Sequence, residues 1–262
     1  ETSEWFIDRD LSAIDFVLFL DKDIRLAKQL EGLGLRVFNS AKVIEICDDK
    51  GMTTQALAGK GFKIPKTMIA PLVFRGMYRE QTEDRYIEHV EKELGYPMII
   101  KECFGSFGMQ VYKVDDRKML TKLRSKLADT PHLYQAFIKS SCGKDVRIHV
   151  VGGKVVASML RMNKEDFRAN ITTGGTMQIY EPSDDFKQLA IDVCTQLGAD
   201  FAGVDILFGE SGEPLLCEVN SNAHIKNILD LTGINVAEEI TAYILKQVAK
   251  SEGTKDEGIT CL

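Results

Sequence analysis

Two carboxylates and an amide late in the chain have the chemistry to hold a hard cation. Asp205 lies inside the otherwise apolar run FAGVDILF (201–208), and Glu218 and Asn220 end the run PLLCEVN (214–220). Side chains alternate along a strand with period two, so Glu218 and Asn220 point the same way. The intervening turn, GESGE, can bring Asp205 across from them. Ionised carboxylates in such runs are costly unless they have partners. With the amide oxygen they form a set of hard ligands suited to Mg²⁺ shared with phosphates. The plainer alternative is one buried aspartate and one surface glutamate.

A second group of residues is cationic. Lys101 follows the apolar MII and precedes the glycine loop FGSFG (104–108). Backbone N–H groups of such a turn can close over phosphates, with a lysine adding a point charge. This arrangement does not decide the matter alone. Lys50 opens a helix after two acidic residues, and by itself it reads as a solvated lysine. Arg161, Arg168 and Asn170 fall between a hairpin and the pair Gly174–Gly175, the last two within DFRANITTGG (166–175). A guanidinium fork suits carboxylate and phosphate groups, although these residues alone read first as a solvated loop. The sequence has no GxxxxGK[ST], HExxH or GxSxG motif. Gly32 and Gly34 read as a helix stop rather than part of a dinucleotide fingerprint.

The elements that position these groups follow from periodicity. FVLFL (16–20) reads as a buried parallel strand, residues 21–30 as a helix and 35–38 as a second strand, the start of an α/β layer. Ser40 and Asp49 are N-caps for helices over 41–47 and 50–60, and 68–70 is a short strand. A middle stretch reads as helix (Tyr86, Val90, Leu94), strand 98–102, glycine loop, strand 109–114, a helix capped by Asp115 with Met119, Leu123 and Leu127, and strand 132–138. Beyond it, RIHVVGGKVVASMLRM is a hairpin turning at Gly152–Gly153, 163–180 is a polar loop, and 185–197 is a helix. The strands 201–208 and 214–219 and a helix over 235–248 complete the pattern. The expected class is α/β (α+β).

Composition narrows the functions. The chain has 262 residues, 44% of them hydrophobic, with 33 Lys plus Arg against 39 Asp plus Glu and a net charge of −6. That balance argues against a broad nucleic-acid interface. No apolar stretch is long enough for a membrane helix, and no signal peptide is visible. Six scattered cysteines without a CxxC pair read as reduced thiols of a cytoplasmic protein.

Taken in order, Lys50, Lys101 with FGSFG, YQAFI, Asp145 and Arg147 in GKDVR, DFRAN with its glycines, GVDIL and CEVNSN resemble the ATP-grasp superfamily. Within it the sequence is most similar to RimK-like α-L-glutamate ligases, over about residues 35–248. The resemblance implies an N-terminal lobe (1–48), a connecting helix and strand (49–80), a central lid lobe (81–139), a C-terminal lobe carrying the metal (140–250) and a tail (251–262). It also implies that Lys50 and Lys101 contact ATP phosphates beneath Gly105, Ser106, Phe107 and Gly108. Gln135 would face the adenine amino group, the backbone of Ala136 and Ile138, around Phe137, would hold the adenine edge, and Asp145 would bind the ribose. Asp205, Glu218 and Asn220 would hold Mg²⁺, or Mn²⁺ in its place. Arg168 and Asn170, helped by Arg161, would face the γ-phosphate and the acceptor carboxylate.

The sequence departs from the resemblance in two places. Ala136 stands where an acidic residue is common, and Glu218-Val-Asn220 continues as Ser-Asn-Ala-His-Ile-Lys. Asn222, His224 and Lys226 therefore read as substrate contacts, with His224 equally readable as a helix-start residue. The implied activity is amide formation through an acylphosphate, with an amino-acid donor, most readily glutamate, and a carboxylate acceptor in a small molecule, peptide or protein. Peptide crosslinking and non-catalytic ATP sensing are the alternatives. The resemblance also implies a homo-oligomer. The short stretch before Lys50 and the absence of an initial Met imply a truncated or incomplete first lobe.

Overall fold

A computed structural model describes residues 11–74 and 76–256, which form three sheets. The first sheet is small: β1 (Val17–Leu18) runs parallel to β2 (Val37–Phe38), joined through α1 (Ile24–Gly32). The expected buried strand over 16–20 is corrected here. Phe19 is buried, but Leu18 and Leu20 are exposed, because a two-stranded sheet covers only one side of so short a strand. Helices α2 (Ala41–Asp48) and α3 (Lys50–Leu57) follow. The Ser40 hydroxyl accepts from the Val43 N–H, and the Asp49 carboxylate accepts from the N–H groups of Gly51 and Met52. Such caps satisfy the orphan donors of a helix start. The second cap fixes Lys50 as the first residue of α3.

The second sheet has the order β3 (Thr67–Ile69), β6 (His132–Ala136), β4 (Met98–Glu102), β5 (Val111–Val114), all antiparallel. Helices α4 (Glu80–Leu94) and α5 (Arg117–Lys126) cover one face, packing Ile87, Val90, Leu120, Leu123 and Leu127 on Met98, Ile100 and Tyr134. Asp116, not Asp115, caps α5. The shift of one residue turns Leu120 inward and leaves Met119 exposed.

The third sheet has the order β11 (Pro214–Asn220), β10 (Phe201–Phe208), β7 (Lys144–Val151), β8 (Lys154–Met162), β9 (Thr176–Ile179). Alternation divides its residues. Val146, Ile148, Val150, Val204, Ile206 and Leu216 pack under α6 (Asp184–Leu197), while Asp145, Arg147, His149, Asp205 and Glu218 share the other face by register. The Gly152–Gly153 turn has φ values of +56° and +75°, as a two-residue hairpin of this hand requires. A Cβ on Gly152 would also lie 2.4 Å from the Tyr243 ring. That tyrosine belongs to α8 (Val236–Asp256), which with α7 (Lys226–Thr232) covers the far end of the face. Strand β9 falls within the stretch read as loop. It is an exposed edge, with Ile179 outward, so it carries no burial alternation for a sequence reading to detect. No described helix is long and apolar enough to cross a membrane.

Candidate active site

A cleft lies between the second and third sheets. Its apolar part is lined by Ile99, Val111, Phe137, Phe167 and Leu207, which leave a narrow apolar slot. Lys50, Lys101, Gly105, Ser106, Phe107, Gly108, Gln135, Ala136, Ile138, Asp145, Arg161, Arg168, Asn170, Asp205 and Glu218 are also among the residues of its walls. Asn220, Asn222, His224 and Lys226 do not line it.

The floor is a buried ion network set by strand register. Asp145 opposes Arg161 across β7 and β8, and Asp205 opposes Arg147 across β10 and β7. Arg161 donates Nε and Nη2 to the two Asp145 oxygens, each at 2.7 Å, and Nη2 also lies 2.9 Å from Asp205 Oδ2. Arg147 donates Nε and Nη2 to Asp205 Oδ1 and Oδ2, both at 2.7 Å. Paired this way, the four charges offset one another's desolvation. Burial pushes the Asp205 carboxyl up, but Arg147 and Arg161 more than offset it and hold the group at about 2. Arg147 enters the sequence reading only as a letter of a motif. Its signal is spacing: it lies two residues from Asp145 on the same strand face.

These contacts bear on the expected site residues. Both Asp145 oxygens accept from Arg161, which leaves roughly two of the carboxylate's four acceptor positions for a ligand. Arg161 spends Nε and Nη2 on two carboxylates, Asp145 and Asp205. The Ala136 N–H donates to the Lys66 carbonyl and the Ile138 carbonyl accepts from Ser141, so each keeps at most one backbone polar group for a ligand edge. Gln135 donates its amide to Thr67 Oγ1 at 2.9 Å, leaving its carbonyl oxygen as the group able to accept from a ring amine.

Lys50 and Lys101 both line the cleft. Lys50 Nζ donates to the Gly105 carbonyl at 3.0 Å and lies 3.4 Å from Glu218. Lys101 is 8% exposed; its Nζ meets the Cys217 thiol at 3.6 Å. Among the described residues no carboxylate reaches it within ion-pair distance. A buried ammonium without a counter-charge is a strong attractor for an anion.

The glycine loop is closed over these lysines. Arg168 Nη1 donates to the Gly108 carbonyl at 2.6 Å, while Nε and Nη2 hold Asp166. Thr172 donates to the Phe107 carbonyl, and Lys22, bound to Asp48 at 2.5 Å, reaches the Ser106 hydroxyl at 3.2 Å. A Cβ on Gly108 would lie 2.8 Å from Asn170 Oδ1. Lys22 is absent from the sequence reading, since no local pattern links residues 84 positions apart. His224 is exposed outside the cleft with its ring 5.4 Å from Phe107. Lys226 lies outside the cleft as a surface residue paired with Asp230 one helical turn on.

Register places Glu218 opposite Asp205. Three of the roughly four acceptor positions of the Asp205 carboxylate are taken by arginines, leaving one on Oδ1. Among the described residues no group of three or more His, Cys, Asp or Glu is placed to hold a metal. Two carboxylates and the Asn220 amide oxygen instead fit a cation such as Mg²⁺, which takes one or two carboxylates and completes its shell with phosphate oxygens and water.

The RimK-like ATP-grasp domain matches residues 47–244. The chain belongs to the RimK-like ATP-grasp family. It is 36% identical over 227 residues to N-acetylaspartylglutamate synthase A of Homo sapiens, covering 86% of this chain and 56% of that protein. It is 32% identical over 236 residues to probable alpha-L-glutamate ligase 2 of Pseudoalteromonas atlantica, covering 89% and 74%. The chain thus spans little more than half the length of the vertebrate relatives it matches. A D-alanine–D-alanine ligase from Bacillus anthracis shares the fold at a TM-score of 0.70 and 18% identity, covering 93% and 83%.

Proposed function

We propose that this RimK-like ATP-grasp chain is an ATP-dependent carboxylate–amine ligase that adds glutamate, or a similar amino acid, to a carboxylate acceptor. The observation that carries the reading is Lys101, an 8% exposed ammonium with no carboxylate partner among the described residues, facing a glycine loop across an apolar slot. That combination suits a nucleotide, with the ring in the slot and the phosphates at Lys50 and Lys101. Several of the curated relatives carry glutamate in their names, which supports glutamate as the amine substrate.

A carboxylate is a poor electrophile because its leaving group would be oxide. In the proposed reaction an acceptor carboxylate oxygen takes the γ-phosphoryl group, releasing ADP and forming an acylphosphate. The amine then attacks the acyl carbon, phosphate leaves, and the ammonium proton goes to solvent. Asp205, Glu218 and Asn220 would hold Mg²⁺, which supplies charge neutralisation on the phosphates. Lys50, Lys101 and Arg168 add fixed positive charge, and the closed glycine loop keeps water from the activated acyl group. No side-chain nucleophile is needed.

A phosphate-release screen of amino acids against candidate acceptors, followed by product mass, tests this. The expected product is heavier than the acceptor by one amino acid less water. Phosphate release that ignores the amine would contradict it, and ATP binding without turnover would favour a sensor.

A further inference from the structure

Two buried side-chain atoms beside the ion network have no hydrogen-bond partner among the described residues: Nε2 of His149 and Nδ2 of Asn220. Strand register relates them. Gly203 on β10 pairs with His149 on β7 and with Asn220 on β11. The three therefore form one row on the cleft-side face, next to the row Arg147–Asp205–Glu218, a step of ~6.6 Å at two residues per step. His149 is 2% exposed. Gly203 carries no side chain, so nothing from the central strand separates the two flanking groups. A Cβ built there would lie 3.8 Å from Arg147 Nε and 2.5 Å from the Ala223 methyl, which covers the row.

Buried polar groups are almost always paired, and two orphans in one row point to a ligand. The chemistry on offer is an amide N–H donor, an imidazole and a neighbouring guanidinium. Burial, reinforced by Arg147, pushes the imidazole down to about 3, so the ring is neutral and acts as a hydrogen-bonding group. A donor and a cation flanking a neutral ring suit an anionic, planar acceptor. Resting on the ligase reading above, we propose that His149, Gly203 and Asn220 form the floor of the amine-substrate subsite, where His149 and Asn220 bind a carboxylate of the incoming amino acid. Loading it requires Ala223 to lift. The segment from Ser221 is held at one end by Asn39, which donates to the Ser221 carbonyl, and at the other by the contact of His224 with Phe107 of the glycine loop. Opening that loop therefore frees the cover of the subsite.

The test uses the whole chain with L-glutamate as probe in the presence of Mg²⁺ and ADP. His149→Leu keeps the volume apolar and removes an orphan, so its melting temperature should equal or exceed that of the unsubstituted chain. Titration calorimetry should show glutamate binding weakened at least tenfold and ADP binding within twofold, with His149→Gln, which restores a donor, recovering part of the loss. Equal glutamate binding in the unsubstituted chain and His149→Leu would overturn the proposal, as would parallel losses of glutamate and ADP binding, or no glutamate binding by the unsubstituted chain. The ligase reading is judged separately, by amine-dependent ADP release.

Discussion

Replacing Lys101 by Met separates a ligand-binding charge from a structural one. Lys101 is buried against Cys217, with no carboxylate in ion-pair range among the described residues. Met keeps most of the length and removes a charge that the fold alone does not compensate. The account therefore expects an unchanged or raised melting temperature. If the ammonium binds a phosphate oxygen, its loss removes a charge-assisted hydrogen bond of about 1.5–3 kcal/mol. At about 1.4 kcal/mol per tenfold, that raises the KM for ATP roughly 10- to 150-fold. Arg161→Met is the control. It leaves Asp145 and Asp205 without a guanidinium that now bridges them, and breaking such a buried pair costs about 3–5 kcal/mol. For a chain of this size that lowers Tm by roughly 6–20 °C. The assays are ATP titration of the amine-dependent reaction and thermal unfolding of both variants. If Lys101→Met fell in Tm as far as Arg161→Met, or kept its KM for ATP, the assignment of Lys101 to the phosphates would be refuted.

Two further outcomes follow from the geometry. Gly108 has φ +71°, and a Cβ there would meet Asn170 Oδ1 at 2.8 Å. Gly108→Ala should loosen the closed loop and lower kcat at least tenfold in steady-state assays with little change in Tm; an unchanged kcat counts against closure over the site. The pH prediction concerns His149, whose folded pKa is about 3 against an ordinary 6.5. The unfolded chain binds the extra proton between those values, so stability is lost as pH falls from about 6.5 towards 3, by up to ~1.4 kcal/mol per pH unit. Melting curves of the unsubstituted chain should fall more steeply across that window than those of His149→Leu, and parallel curves would remove His149 from the account.

The elements nearest the chemistry were legible because their signals are local. The pairing of Asp205 with Glu218 follows from period-two alternation on either side of a short turn, and the structure pairs them in register. The Asp49 cap that starts α3 at Lys50 was equally readable. What escaped depends on which strands become neighbours. The order β10–β7–β8 places Arg147 and Arg161 on Asp205, and no spacing in the chain reports that order. The same cause hid Lys22 on the glycine loop and the His149–Gly203–Asn220 row. Lys226 follows Glu218 closely in sequence, but α7 carries it to the surface, where it pairs with Asp230. Arg124 shows another limit. It interrupts the apolar face of α5 yet is fully buried, held by Glu83 at 2.8 Å from another helix.

The central claim is that an acceptor carboxylate is phosphorylated and then displaced by an amine, and an isotope experiment tests it most directly. An acceptor labelled with ¹⁸O in its carboxylate is turned over with ATP, Mg²⁺ and the amino acid found in the screen, and the released phosphate is weighed. The account predicts one ¹⁸O per phosphate, in step with amide product. Unlabelled phosphate released alongside amide would contradict it.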